Sequence, residues 1–103
     1  MTDHKRGELE IRQFSAAIME RLNDPRNIEK GDWKRVGRGD LLASLIHEVG
    51  ELAEEVSDTI PDYERVRAEA ADVGALAMML ADQAQHYWKS DKAKAEDEST
   101  TAT

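Results

Sequence analysis

Residues 41–56 read LLASLIHEVGELAEEV. Apolar side chains recur there at helical spacing, yet Glu48, Glu51, Glu54 and Glu55 sit among them. A carboxylate turned into a core is costly unless it is paired or bound to a cation. The positions of the glutamates therefore constrain how the segment can fold. At about 100° per residue, Leu41, Leu45, Val49, Leu52 and Val56 form one broad apolar stripe, extended by Leu42, Ile46 and Ala53. Glu48, Glu51 and Glu55 follow i, i+3, i+7 and border that stripe, whereas His47 and Glu54 point towards solvent.

The rest of the chain reads as helix as well. Ile11, Phe14, Ile18 and Leu22 predict a first helix over about 7–22. The run NDPRN at 23–27 ends it, since Pro25 lacks an amide donor and Asn and Asp favour turns. Residues 23–39 read as a charged, glycine-containing connection with Trp33 as its one large apolar residue. Asp40 is the expected N-cap of the second helix, about 41–58. Pro61 breaks that helix, and a third runs from about 62 to 88, with Asp62 and Glu64 suited to its N-terminal dipole.

Ala, Leu, Glu, Met, Lys and Arg dominate, and only five residues are aromatic, which favours helix over strand. The expected fold is all-α, a small bundle of three to four helices over residues 1–88. With 103 residues the core is modest, and oligomerisation is expected to complete it. Residues 89–103 hold no apolar side chain larger than Ala and read as a disordered, polar tail.

The third helix carries the more telling acids. Glu69 falls among Val66, Val73, Leu76 and Leu80, inside the apolar stripe rather than on its rim. Asp72 falls between the directions of Leu76 and Met79, and in the first turns of this helix only Arg65 points near it. The short turn at 59–61 makes the two helices antiparallel neighbours. Two carboxylate pairs at i, i+3, Glu48/Glu51 and Glu69/Asp72, would then repel unless a divalent cation sat among them. All-oxygen ligands suit Mg²⁺, with Mn²⁺ as a substitute.

The net charge of −8 argues against a nucleic-acid partner, which needs a basic footprint. There is no cysteine, and hence no disulfide or thiolate metal site. The N-terminal run MTDHKRGELE lacks the apolar region of a secretory signal, and no run is long enough for a membrane span. These features fit a cytoplasmic chain without a membrane partner. His4, His47 and His86 are isolated, with no ExxH motif for a di-iron site, and GRGD at 37–40 is not a phosphate-binding loop.

HEVGELAEEV, followed by RAEAADVGALAMMLAD, resembles the MazG-like all-α nucleoside triphosphate pyrophosphohydrolases, whose superfamily includes the dimeric dUTPases. The family signature is ExxE on one helix and ExxD on the next, here Glu48–Glu51 and Glu69–Asp72. The segment GDWKRVGRGDLLASL, with its Trp ahead of the ExxE helix, is similar to small members as well. The resemblance covers about residues 30–85. It implies Mg²⁺-dependent cleavage of a (d)NTP to (d)NMP and pyrophosphate, in nucleotide-pool control. Glu48, Glu51, Glu69 and Asp72 would be the metal ligands. Glu48, Glu51 and Glu55 are the catalytic candidates, with Glu51 or Glu55 accepting a proton from the attacking water.

One position departs from the family pattern: Ala75 stands where relatives often carry an asparagine that helps hold the nucleoside. Substrate contacts therefore fall to other residues. Trp33 is the candidate for stacking on a base, and Lys34, Arg35 and Arg38, with Lys89 a weaker one, for the phosphates. Met78 and Met79 with Ala71 and Ala75 make the third helix apolar nearly all round, so at least a homodimer is expected, and the resemblance implies a dimer of dimers. The alternatives are a catalytically silent helical adaptor of the same fold and, less favoured, a di-iron or di-manganese bundle.

Overall fold

The helix that carries Glu69 is the one on which the others pack. In the computed structural model, which describes residues 5–28 and 31–88, the described chain is all-helical with no strand. Helix α1, Glu8–Leu22, follows Gly7, whose φ of 80° is in the left-handed region. It ends at Asn23, whose Nδ2 donates to Met19 O at 2.8 Å. Pro25 then opens a single turn, α2, Pro25–Ile28, because a missing N–H costs nothing at a first helical position. A 3₁₀ turn follows over Trp33–Arg35, with Asp32 accepting from the Lys34 amide at 3.0 Å. The 23–39 connection thus holds two helical turns where the composition suggested only loop.

Helix α3 is Arg38–Val56. It begins earlier than expected, and its N-cap is Gly37 rather than Asp40. Asp40 lies instead in the first turn, where its charge suits the positive end of the helix dipole. Helix α4, Tyr63–Gln83, is capped by Asp62, which accepts from the amides of Glu64 at 3.0 Å and Arg65 at 3.3 Å. It continues as a π-helical turn, Ala84–Trp88. The tail expected over 89–103 lies outside the described residues.

α4 packs against both α3 and α1, while α1 and α3 make no such contact among the described residues. Small residues allow this. Ala71 and Ala75 are buried, and Gly74 lies under Phe14 and Ile18 of α1. A Cβ at Gly74 would meet Phe14 Cε1 and Cζ at 2.8 Å. The second side of α4 is therefore covered by α1 of the same chain. Uncovered apolar surface remains on α1, at Leu9, Ile11 and Met19, and on α3. The broad stripe of α3 divides into two seams offset by one residue. Leu41, Leu45, Glu48, Leu52 and Glu55 are buried or half-buried, whereas Leu42, Ile46, Val49, Ala53 and Val56 are exposed. Ile46 is 64% exposed.

Gly74→Ala should therefore lower stability by about 1 kcal/mol net, the cost of overpacking reduced by the better helix propensity of alanine. Adding Phe14→Leu should remove most of that overpacking cost. Urea denaturation of the single and double variants checks this, and a stabilised Gly74→Ala would contradict the packing described.

Candidate metal centre

Glu48 and Glu51 project from one face of α3 because they are three residues apart. Glu69 meets them from α4 where the two helices pack. One carboxylate oxygen from each of the three lies within 4.8 Å of the others. Glu48 Oε2 and Glu69 Oε2 are buried and have no hydrogen-bond partner. Unsatisfied buried acceptors are uncommon and call for an explanation such as a bound ion.

The electrostatics of the cluster follow from burial and crowding. Burial, then a hydrogen bond with Glu48 and the charges of Glu51 and Glu48, push the Glu69 carboxyl from its ordinary value of 4.5 up to about 7. Burial is also the largest cause raising Glu48, opposed by the hydrogen bond from Glu69 and reinforced by the charges of Glu51 and Asp72. Without a cation, then, a proton on Glu69 can be donated to Glu48, and this partly relieves the repulsion. A divalent cation would replace that proton and use the two orphaned oxygens. The donor set, three carboxylates, fits Mg²⁺ or Mn²⁺.

Asp72 is engaged elsewhere. Arg21 of α1 grips it with a two-pronged ion pair, Nε to Oδ1 at 2.6 Å and Nη2 to Oδ2 at 2.9 Å. That hydrogen bond is the largest cause holding the Arg21 guanidinium above its ordinary value. The fourth acid of the double motif thus stands beside the three-carboxylate cluster rather than within it. Glu55 faces Arg65, Nε to Oε1 at 3.5 Å, and Glu51 faces His47 at 3.0 Å. Arg65 and His47 are well exposed, so both pairs are weak.

A cavity of about 1040 Å³ opens beside Glu48. Arg21 and Asp72 line it together with Leu41, Leu76 and Met79, and Trp33 forms part of its wall. Lys34 and Arg35, on the same turn as Trp33, are exposed and do not line it. Arg38 is turned onto the Trp88 ring, 5.3 Å from its centroid, as a cation–π pair. Lys89 lies outside the described residues. The basic residues at the cavity are instead Arg21 and Arg26, which sequence reasoning did not single out. No local pattern marks Arg21. The available clue was Asp72 itself, an acid among core residues that required a partner from another helix.

Compared with protein-family models, curated proteins and solved structures, the chain matches none.

Because Glu69 binds its proton more tightly in the folded than in the unfolded chain, its contribution stabilises the metal-free protein below about pH 4.5 and is lost as pH rises through about 7. Glu69→Gln stays neutral throughout. In chelator-treated protein it should match the parent near pH 4 and exceed it at pH 8 by about 1–3 kcal/mol. An equal difference at both pH values, read by urea denaturation, would sink this account of the cluster.

Proposed function

We propose that the protein is a Mg²⁺-dependent nucleoside triphosphate pyrophosphohydrolase, converting (d)NTP to (d)NMP and pyrophosphate. The observation that carries the proposal is the convergence of Glu48, Glu51 and Glu69, with two buried oxygens lacking any partner, next to a cavity that Glu48 lines. The sequence resemblance, ExxE followed by ExxD, supplies the reaction type.

Glu48 and Glu69 are the residues to hold the ion, with Glu51 completing the set. Asp72 would join through the family motif only on release from Arg21. The chemistry the ion supplies is neutralisation of the triphosphate and a lowered pKa for the attacking water. Glu51, unlike Glu48 and Glu69, has no buried oxygen left without a partner, and it is the base assigned to take the water's proton. Water oxygen attacks phosphorus, the bond to the bridging oxygen between the α and β phosphates breaks, and pyrophosphate leaves. Glu55, on the same helix, faces Arg65 in a weak pair and is assigned an accessory role. Arg21, at the cavity, is placed to meet a phosphate once it leaves Asp72.

The same proposal includes pairing of two chains. Leu42, Ile46, Val49, Ala53 and Val56 alternate four and three residues apart, the spacing of a helix–helix seam. No helix of the protomer covers that seam among the described residues. It also favours a second reading, a helical adaptor that binds a partner there and has no activity.

Purified protein incubated with each NTP and dNTP plus Mg²⁺ should release pyrophosphate and the monophosphate, with Glu51→Gln at least ~100-fold slower. Absence of cleavage across the panel would favour the adaptor. By light scattering the chain should be at least dimeric, and Ile46→Asp should yield a monomer. A monomeric parent chain would end the proposal of pairing.

A further inference from the structure

The segment 31–37 supplies the Trp33 part of the cavity wall, yet it contains only one 3₁₀ turn to hold it in shape. It is fastened to the end of α4. Gln83 is 4% exposed, the one buried polar side chain among the described residues. Its Nε2 donates to the carbonyls of Trp33 and Val36, both at 2.7 Å. The preceding residue, Asp82, accepts from Trp33 Nε1 through Oδ2 at 3.1 Å. The other oxygen of Asp82 faces His86 Nε2 at 3.3 Å.

These bonds use the donors of the Trp33 indole and of the Gln83 amide. A side-chain amide nitrogen has two hydrogens to give, and Gln83 spends them on two carbonyls. An indole nitrogen is a donor only, and here it is committed to Asp82. Trp33 therefore offers the cavity ring surface and no free donor. Ala75, also on the wall, adds no polar group. A wall fixed before the ligand arrives saves the entropy of ordering it on binding.

We propose that Asp82 and Gln83 are positioning residues that clamp the Trp33 turn onto α4, holding the indole as a pre-set apolar wall that receives a planar ring through its face. This rests on the reading of the cavity as a nucleotide site. The clamp acts on binding and leaves the carboxylate cluster untouched, since neither Asp82 nor Gln83 reaches it.

The test uses the full chain with ¹⁵N-labelled tryptophan, the two indole signals being assigned with Trp88→Phe. In Asp82→Leu and Gln83→Leu the Trp33 indole N–H should exchange with solvent at least tenfold faster. Asp82→Asn keeps a carbonyl acceptor and should retain slow exchange. With Mg²⁺ and α,β-methylene deoxynucleoside triphosphates, which cannot be cleaved at that bond, both leucine variants should bind at least fivefold more weakly. Asp82→Asn should bind as the parent does. On cleavable substrate, KM should rise while kcat stays within twofold. Unchanged indole exchange in both leucine variants overturns the clamp. Faster exchange with unchanged nucleotide affinity overturns the role of the wall. A parent chain that binds none of these nucleotides overturns the cavity reading and ring recognition with it, and indole exchange alone then decides the clamp. Asp82 is partly exposed, so Asp82→Leu carries the test if Gln83→Leu does not fold.

Discussion

Two carboxylates, Glu48 and Glu69, meet where α3 packs on α4, and each leaves an oxygen buried without a partner. Much of the molecule is arranged around that repulsion. Glu69 is raised to about 7, so its proton can share the site with Glu48 when no cation is bound. The neighbouring acid, Asp72, is instead neutralised by Arg21, and this ion pair links α1 to α4 across 51 residues of sequence. A half-buried two-pronged pair of this kind fixes geometry as well as charge. The result is a cluster of three acids that reaches the cavity through Glu48, with the fourth, Asp72, lining the cavity beside it.

The packing that brings those acids together is thin. Leu41, Ala71 and Ala75 are the only buried apolar residues among those described, and small side chains on α4 let two helices approach it closely. Such a core leaves apolar surface over, on α1 at Leu9, Ile11 and Met19 and along the outer seam of α3. The helix therefore has two distinct faces at nearly the same spacing. The inner face carries Glu48 and Glu55 among leucines. The outer seam from Leu42 to Val56 carries no charged residue.

The three long helices were legible in the sequence, because apolar periodicity and Pro61 mark them, whereas the short turns at Pro25–Ile28 and Trp33–Arg35 were not. The split of the glutamates was legible too: Glu54 is exposed, and Glu48 and Glu69 are where the wheel places them. What a wheel could not reveal was which edge of the broad α3 stripe faces α4, since Val49 and Leu52 are only three residues apart and differ in exposure. Long-range partners were equally hidden. Arg21 was on the wheel of α1 with nothing to mark it, and Arg65 turned out to face Glu55 rather than Asp72. The bonds of Asp82 and Gln83 to the Trp33 turn have no local signature either. For the same reason Lys34, Arg35 and Arg38 were natural candidates for phosphate contact, yet none lines the cavity.

The central claim is that Glu48, Glu51 and Glu69 form a divalent-cation site. Titration of Mn²⁺ into chelator-treated protein, followed by the loss of the free-ion electron paramagnetic resonance signal, measures it without reference to any substrate. The parent chain should bind Mn²⁺ saturably, with Mg²⁺ displacing it, and the Glu48→Gln/Glu69→Gln double variant should not. No saturable binding, or binding that survives in the double variant, would contradict that claim.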